Sequence, residues 1–168
     1  ELSEEEKREQ NDRESMFIVN KWAMEYFHNI LLNDVDGRAI GMQYFRSRGF
    51  RDDIIEKFHL GFALPSRDDL AKAALAKGYN EKFLVSTGLC FKRDNGELLD
   101  KYSGRVMFPW IGVNGNVRAF GGRLLDARTK GVQQKYINSP DSDIYHKEKE
   151  LYGIYQAKKA IAKENCVY

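Results

Sequence analysis

At 168 residues the chain is long enough for one ordinary core, or for a compact unit with an extended arm. Its 42% apolar and 31% charged residues are those of a soluble globular chain. No run approaches the ~20 apolar residues that a membrane span requires, and the first residues are too acidic for a secretory signal, so a cytoplasmic protein without a membrane partner is expected.

Residues 1–15 carry seven acids against three bases and few apolar side chains, an acidic arm. Ser3 and Glu6 have capping-box spacing, so the arm is either helical or disordered, and the shortage of apolar residues favours a solvated, frayed segment. From Met16 an apolar period of 3.6 residues (Met16, Val19, Ala23, Phe27, Ile30) predicts an amphipathic helix over 14–32. Asn33-Asp34 and Asp36-Gly37 then break the chain. A second helix over 38–48 is expected to bury Ile40, Tyr44 and Phe45 and to stop at Gly49 as a left-handed cap. Asp52 can cap a short third helix with Ile54, Ile55 and Phe58 on its buried side. His59 to Leu64 reads as a short strand ended by Pro65. Ser66 with Asp69 repeats the capping-box spacing and predicts a helix over 67–77 that leads to Gly78, and 80–86 predicts one more.

Two hairpins follow. Leu89 to Lys92 and Leu98 to Tyr102 flank Asp94-Asn95-Gly96. Val106, Phe108 and Trp110 then alternate with Met107 and Pro109, and Val117 and Ala119 with Arg118. Asn114-Gly115 between them suits a two-residue type I′ turn, giving strands near 105–112 and 117–124. Gly121-Gly122 has two compatible readings: a bulge where the strand bends, or a place where missing side chains let backbone N–H groups and Arg123 approach a phosphate. Arg128 to Gly131 has no apolar side chain to bury and reads as a mobile basic loop. Tyr136-Ile137 reads as a short strand, Ser139-Pro140-Asp141 as a turn, 154–164 as a helix and Cys166-Val167-Tyr168 as the start of another strand. The expected fold class is α+β, with amino-terminal helices, a small mainly antiparallel sheet of hairpins and a carboxy-terminal helix.

Charge gathers in the same region. Lys101 to Lys135 hold seven cationic side chains and one acid, Asp126, a net +6 in a chain whose total is +2. A one-signed field on part of a near-neutral protein concentrates anionic partners, phosphates above all. The two cysteines, Cys90 and Cys166, and the three histidines show no Cys-x-x-Cys or His-x-x-x-His spacing, so zinc has no ligand set here. The cysteines read as small apolar packing groups.

The runs R-V-M-F-P-W (105–110), N-V-R-A-F-G-G-R (116–123), K-Y-I-N-S-P (135–140), D-I-Y-H-K (143–147) and L-Y-G-I-Y (151–155) resemble the bacterial replicative DNA primase family of the DnaG type. Q-Y-F-R-S-R-G-F (43–50) and I-I-E-K-F-H-L-G-F-A-L-P (54–65) match its pattern in the same order. The resemblance covers residues 16–168 and corresponds to the amino-terminal subdomain of that family's RNA-polymerising core, in 16–165. It implies a piece of a longer protein, with 166–168 opening a metal-binding Toprim fold.

The resemblance places Arg48, Arg105, Arg123, Lys135, Tyr136 and Lys147 on a basic groove that faces the Toprim carboxylates and holds template and nucleotide phosphates. Arg offers a planar fork for phosphate oxygens, Lys a mobile point charge, and Tyr136 a ring on which a base can stack. Asn138 either bonds a ribose or base or stabilises the turn before Pro140. No catalytic residue and no metal ligand is expected in this chain. Asp141 and Asp143 have D-x-D spacing but more plausibly shape the turn. Arg118 is expected on the solvated face of its hairpin. Tyr145, Tyr152 and Tyr155 are expected to pack the last helix, Lys158, Lys159 and Lys163 to form its exposed face, and Trp22 and Trp110 to lie in the core. The implied cofactors belong to the parent: Mg or Mn ions at the Toprim carboxylates and zinc in an upstream domain. The implied partners are single-stranded DNA template, the RNA primer/DNA hybrid, ribonucleoside triphosphates and, through other parts of the parent, the replicative helicase. The chain alone is then expected not to synthesise primers. Two other readings compete, a stand-alone single-strand binding module without catalysis and a protein-interaction domain whose basic face meets an acidic partner.

Overall fold

The computed structural model describes residues 3–125, 136–140, 142, 144 and 145. The expected basic loop at 128–131, helix at 154–164 and strand at 166–168 lie outside them. The described part is α+β: five α-helices, a four-stranded antiparallel sheet and a separate two-stranded hairpin.

Helix α1 (Glu4–Asn33) is a single helix of 30 residues, so the acidic arm is helical rather than disordered and the helix starts about ten residues earlier than its apolar period suggests. Ser3 Oγ accepts the Glu6 N–H at 3.1 Å, and Glu4, Glu5 and Glu6 sit at the positive end of the helix dipole. Lengthening a helix that already exists avoids a second costly nucleation, and the arm's Glu, Lys, Arg and Gln residues are good helix formers. Burial begins only at Met16.

The chain then makes a π-helical turn (Gly37–Met42) that runs into α2 (Gln43–Ser47). Gly41, not Ile40, faces the core, because a Cβ at Gly41 would stand 2.8 Å from Leu31 Cδ1 and 2.9 Å from Phe62 Cβ. Ile40 is left 43% exposed, against expectation. Gly49, at φ +84°, closes α2 as expected. Its N–H donates to the Arg46 carbonyl at 3.0 Å, the Phe50 N–H donates to the Phe45 carbonyl at 2.9 Å, and the Phe45 and Phe50 rings meet edge to face at 5.3 Å.

Arg51, rather than Asp52, is the residue before α3 (Asp52–Lys57). His59 ends that helix in the left-handed region, φ +51°, with the Leu60 N–H donating to the Ile55 carbonyl. Strand β1 is therefore only Gly61–Phe62. Helix α4 (Asp69–Ala76) starts later than expected, and Ser66 does not cap it. The cap comes from strand β3, where the Asp100 carboxylate accepts the Leu70 and Ala71 N–H groups at 2.7 and 2.9 Å. Helix α5 (Glu81–Ser86) is capped by Asn80, whose Oδ1 accepts the Lys82 N–H at 2.9 Å.

Strands β2 (Cys90–Lys92) and β3 (Leu98–Asp100) form the small hairpin. In the main sheet, β4 (Arg105–Ile111) and β5 (Val117–Leu124) pair at the centre, with β1 and β6 (Tyr136–Asn138) at the edges. Neither hairpin closes through a type I′ turn. Gly112 N–H donates to Asn116 O and Gly115 N–H to Gly112 O, and of Asn114-Gly115 only the glycine has positive φ. The loop therefore has three residues, with glycine in the left-handed position, and Asp94-Asn95-Gly96 repeats it.

Alternation divides the sheet between two clusters. Met107, Val117 and Phe120 pack with Val19, Ala23 and Phe27 of α1, Leu70 and Ala74 of α4 and Leu84 of α5. Val106 packs instead with Phe45, Ile55, Leu60 and Phe62, with Phe108 against them. Cys90 is buried in the first cluster, as a small apolar group should be. Trp22 and Trp110 are only half-buried, Trp22 being stacked on Tyr26 at 5.1 Å and Trp110 packed beside Ala119 and Tyr145.

Asp100→Ala should lower the free energy of unfolding by about 1–2 kcal/mol, read from urea titration at pH 7, because two helix-terminal donors lose their acceptor. Burial pushes the Asp100 carboxyl up to about 6, the two N–H donors pulling against it and Asp69 and Asp68 adding to it. An unfolded aspartate titrates near ~3.9. Between about pH 4 and pH 6 the folded chain thus holds a proton that the unfolded chain has released, and this residue makes stability fall as pH rises through that window. Asp100→Asn should flatten that slope in unfolding curves taken across it.

Candidate nucleic-acid interface

Strand β5 pairs with β6 so that Arg123 lies opposite Tyr136 and Gly121 opposite Asn138. Opposed residues in an antiparallel pair share a face, so Arg123, Tyr136, Gly121 and Asn138 lie on one side of the sheet. This is the side that Val106 and Phe108 present to α2. Helix α2 delivers two more groups to it, Tyr44 and, from the position just past its end, Arg48.

These side chains form a ladder of charge and ring. The Arg48 guanidinium carbon stands 5.3 Å from the centre of the Tyr44 ring. That of Arg123 stands 5.0 Å from the Tyr44 ring and 5.6 Å from the Tyr136 ring. Arg123 Nε donates to Tyr136 Oη at 3.1 Å, and its Nη1 to the Leu124 carbonyl at 3.4 Å. A cation over a tyrosine face gains about 0.5–1 kcal/mol at an exposed site. Burial raises the pKa of the Tyr44 hydroxyl, with Arg123 and Arg48 pulling the other way.

Several of the described cations take acidic partners: Arg46 with Asp52, Arg67 with Glu97, Lys72 with Asp68, Lys82 with Asp12, Lys92 with Glu81. Among the described residues neither Arg48 nor Arg123 has one. A guanidinium offers five N–H donors, and the hydrogen bonds of Arg123 occupy two of them, so most of its fork is available to phosphate oxygens.

Arg105, named with these residues from sequence, is not brought to them. It lies opposite Leu124, in step with Met107 and Gly122 and on the reverse side of the sheet from Arg123. It is 5% exposed, and its Nη1 donates to the Gly122 carbonyl at 3.4 Å. Burial lowers its pKa, and Tyr102 acts against that. Gly121 and Gly122 sit in regular register, so neither is a bulge; the irregularity is at Arg118, between the pairs Trp110–Ala119 and Ile111–Val117. Gly122 instead makes room for Arg105 and Tyr102, since a Cβ there would stand 2.9 Å from Tyr102 Cδ1 and 3.1 Å from Arg105 Cδ.

Asn138 points its Oδ1 toward Gly121, 3.1 Å from where a Cβ would be, and that buried oxygen has no hydrogen-bond partner among the described residues. Ser139 holds the end of β6 in place, its Oγ accepting the Phe120 N–H at 2.9 Å and lying 3.1 Å from Tyr102 Oη. Lys135, Lys147, Asp141 and Asp143 lie outside the described residues. Among the described residues no group of three or more His, Cys, Asp or Glu side chains is placed to hold a metal ion, and no helix is long and apolar enough to cross a membrane. The helical pattern of the sequence places Tyr44 in the core, and the structure leaves it half-buried against the two guanidiniums. Its spacing of four from Arg48 was the available signal, and Arg123, 79 positions on, gave none.

Residues 26–158 match the family model described as DNA primase catalytic core, N-terminal domain. A DNA primase of Halalkalibacterium halodurans is 37% identical over 159 residues, 94% of this chain and 26% of the relative. The Escherichia coli K12 DNA primase is 33% identical over 157 residues, again 94% of this chain and 26% of its own length. The chain thus spans about a quarter of the relatives it matches. Among solved structures, a DnaG primase catalytic domain bound to single-stranded DNA superposes with a TM-score of 0.72 at 32% identity, covering 82% of this chain and 43% of that one. The RNA polymerase domain of Mycobacterium tuberculosis DnaG with a double-stranded DNA oligomer bearing a 6-nucleotide overhang gives 0.72 at 28% identity, covering 80% and 40%. With its fold, its motif order and its family model in agreement, this chain belongs to the family of DNA primase catalytic core N-terminal domains.

Proposed function

We propose that the chain is the part of a DNA primase that holds single-stranded DNA template, the primer/template hybrid and the phosphates of incoming ribonucleoside triphosphates while short RNA primers are made. The observation that carries this reading is the ladder Arg48–Tyr44–Arg123–Tyr136, two guanidiniums and two rings without a carboxylate among them. Guanidinium forks suit phosphate oxygens and aromatic faces suit bases, whatever their sequence. The likeness to a DnaG catalytic domain bound to single-stranded DNA supports the same assignment. Asn138 adds a side-chain amide beside Tyr136 for a ribose or base, and Lys135 and Lys147 are proposed to extend the cationic face.

Primer synthesis also needs carboxylates that hold divalent metal against the attacking hydroxyl and the leaving pyrophosphate. We assign to the chain's own residues the tasks of binding, orienting and neutralising. We assign Mg or Mn to a Toprim fold of the parent and zinc to an upstream unit. A solved primase of Aquifex aeolicus comprises zinc-binding and RNA polymerase domains, in keeping with that division. Contact with the replicative helicase is assigned to other parts of the parent, and the place of action to the cytoplasm.

With about three to five phosphates engaged, log affinity for single strands should fall with log salt at a slope of roughly −2 to −3.5. Fluorescence anisotropy on labelled oligonucleotides measures it, and a flat dependence would overturn the reading. Arg123→Ala with Lys135→Ala should weaken binding far more than Lys158→Ala with Lys159→Ala. Arg105→Ala should behave differently from both. It should cost stability, about 1–3 kcal/mol for a buried side chain that packs and donates, and leave the salt slope of the surviving folded protein unchanged.

A further inference from the structure

Within the reading just given, one member of the ladder has no charge to offer a phosphate. Tyr44 lies against both guanidiniums, Arg48 at 5.3 Å and Arg123 at 5.0 Å. Arg48 comes from the end of α2 and Arg123 from β5, so no strand pairing or helical turn holds them at a fixed separation. The ring that lies against both is itself well anchored. Its chain neighbour Phe45 is fully buried and packs edge to face on Phe108 of β4 at 5.8 Å. Tyr44 and Phe45 meet edge to face at 5.6 Å. The helix that carries them is stopped by the paired hydrogen bonds at Gly49 and Phe50, which places Arg48 one turn below Tyr44.

An arginine in water samples many rotamers, and a polyanion that captures it must immobilise it. A ring that already stacks the guanidinium has met part of that cost before the ligand arrives. Two cations drawn to one ring also repel one another, an unfavourable term that a phosphate relieves. We propose that Tyr44 is a positioning residue which holds Arg48 and Arg123 as one preorganised phosphate-binding pair, and that the spacing of the pair is set by its ring rather than by either strand or helix alone.

The test uses the full-length protein and measures single-strand affinity over a series of salt concentrations. Tyr44→Leu keeps apolar volume over Phe45 but removes the ring. It should weaken binding about three- to tenfold at every salt concentration while leaving the slope of log affinity against log salt unchanged, because both arginines remain. Arg123→Ala should instead lower the magnitude of that slope by about 0.7. Tyr44→Phe, which keeps the ring but removes the hydroxyl to which Arg48 is hydrogen-bonded, should lose less affinity than Tyr44→Leu. In an Arg48→Ala, Arg123→Ala background, Tyr44→Leu should have no further effect. A merely structural role would weaken binding equally in that background, and this result would overturn the proposal, as would a Tyr44→Leu protein that binds like the unsubstituted one when Arg123→Ala does not. If the unsubstituted protein shows no salt-dependent binding, the reading of the whole face fails, and this inference with it.

Discussion

The contact on which the rest depends is the seating of Phe45 between helix α2 and the central sheet. Its ring is fully buried and meets Phe50 and Phe108 edge to face at 5.3 and 5.8 Å. Those two rings belong to the residue after the helix stop and to β4, so one side chain ties the end of α2 to the middle of the sheet. Aromatic pairs of this geometry add about 0.5–1.5 kcal/mol beyond the area they bury. The site follows from that seating. With Phe45 fixed inward, Tyr44 on the same short helix is carried to the sheet's rim, within reach of Arg123. Gly49 then ends the helix one residue after Arg48, and the two arginines come to the same ring from different directions.

Strand parity decides which cations join them. Arg105 and Arg123 are both basic, lie within one charged stretch and belong to strands that are hydrogen-bonded to each other. Because opposed residues share a face and successive residues alternate, Arg105 falls in with Leu124 and Arg123 with Val106. One is therefore sunk at 5% exposure against Tyr102 and Gly122, and the other stands among rings at the surface. The buried arginine still serves the surface one indirectly. It braces the Gly122 carbonyl immediately before Arg123, and Gly122 lacks a side chain where Arg105 and Tyr102 need the space. Charge counted along the chain cannot separate these roles, since it is blind to the period of two.

What the sequence disclosed and what it withheld divide along the range of the interactions involved. Local devices were legible: the left-handed glycine after α2, the short helix α5, and the positions of both hairpins. So was the fold class. Motif order put Arg48, Arg123 and Tyr136 in one groove, and these three do share a face, but it put Arg105 there too, which the register turns to the reverse side. Features set by distant partners were not legible. Asp100 caps α4 from a strand some 30 residues away, so Ser66 looked like the cap. Gly41 displaced Ile40 from the core because Leu31 and Phe62 press on it. The acidic arm's few apolar residues favour a frayed segment over the helix that Ser3 and Glu6 also allow, yet extending an adjoining helix needs no second nucleation. The dipeptide Asn-Gly signals a turn without fixing its length, and here a negative φ at Asn114 admits a three-residue loop.

The division between paired and unpaired cations points more sharply at function than net charge does. A total of +2 suggests indifference to polyanions, and a local window of +6 suggests the reverse. Both numbers count Arg105, whose charge is enclosed, and neither separates a lysine already matched to a carboxylate from an arginine that is not. On the described surface Lys72 and Asp68, Lys82 and Asp12, and Arg67 and Glu97 meet at 3.2–3.3 Å. A strand of nucleic acid gains little from such groups, because it must first displace a partner that is already in place. Among the described residues Arg48 and Arg123 meet no carboxylate, and both lie against the Tyr44 ring, which steadies a guanidinium without neutralising it. A surface that holds cations in order and leaves their charge unspent is suited to a ligand that brings its own negative charge, and the short stretch of α2 from Tyr44 to Arg48 is where that order begins.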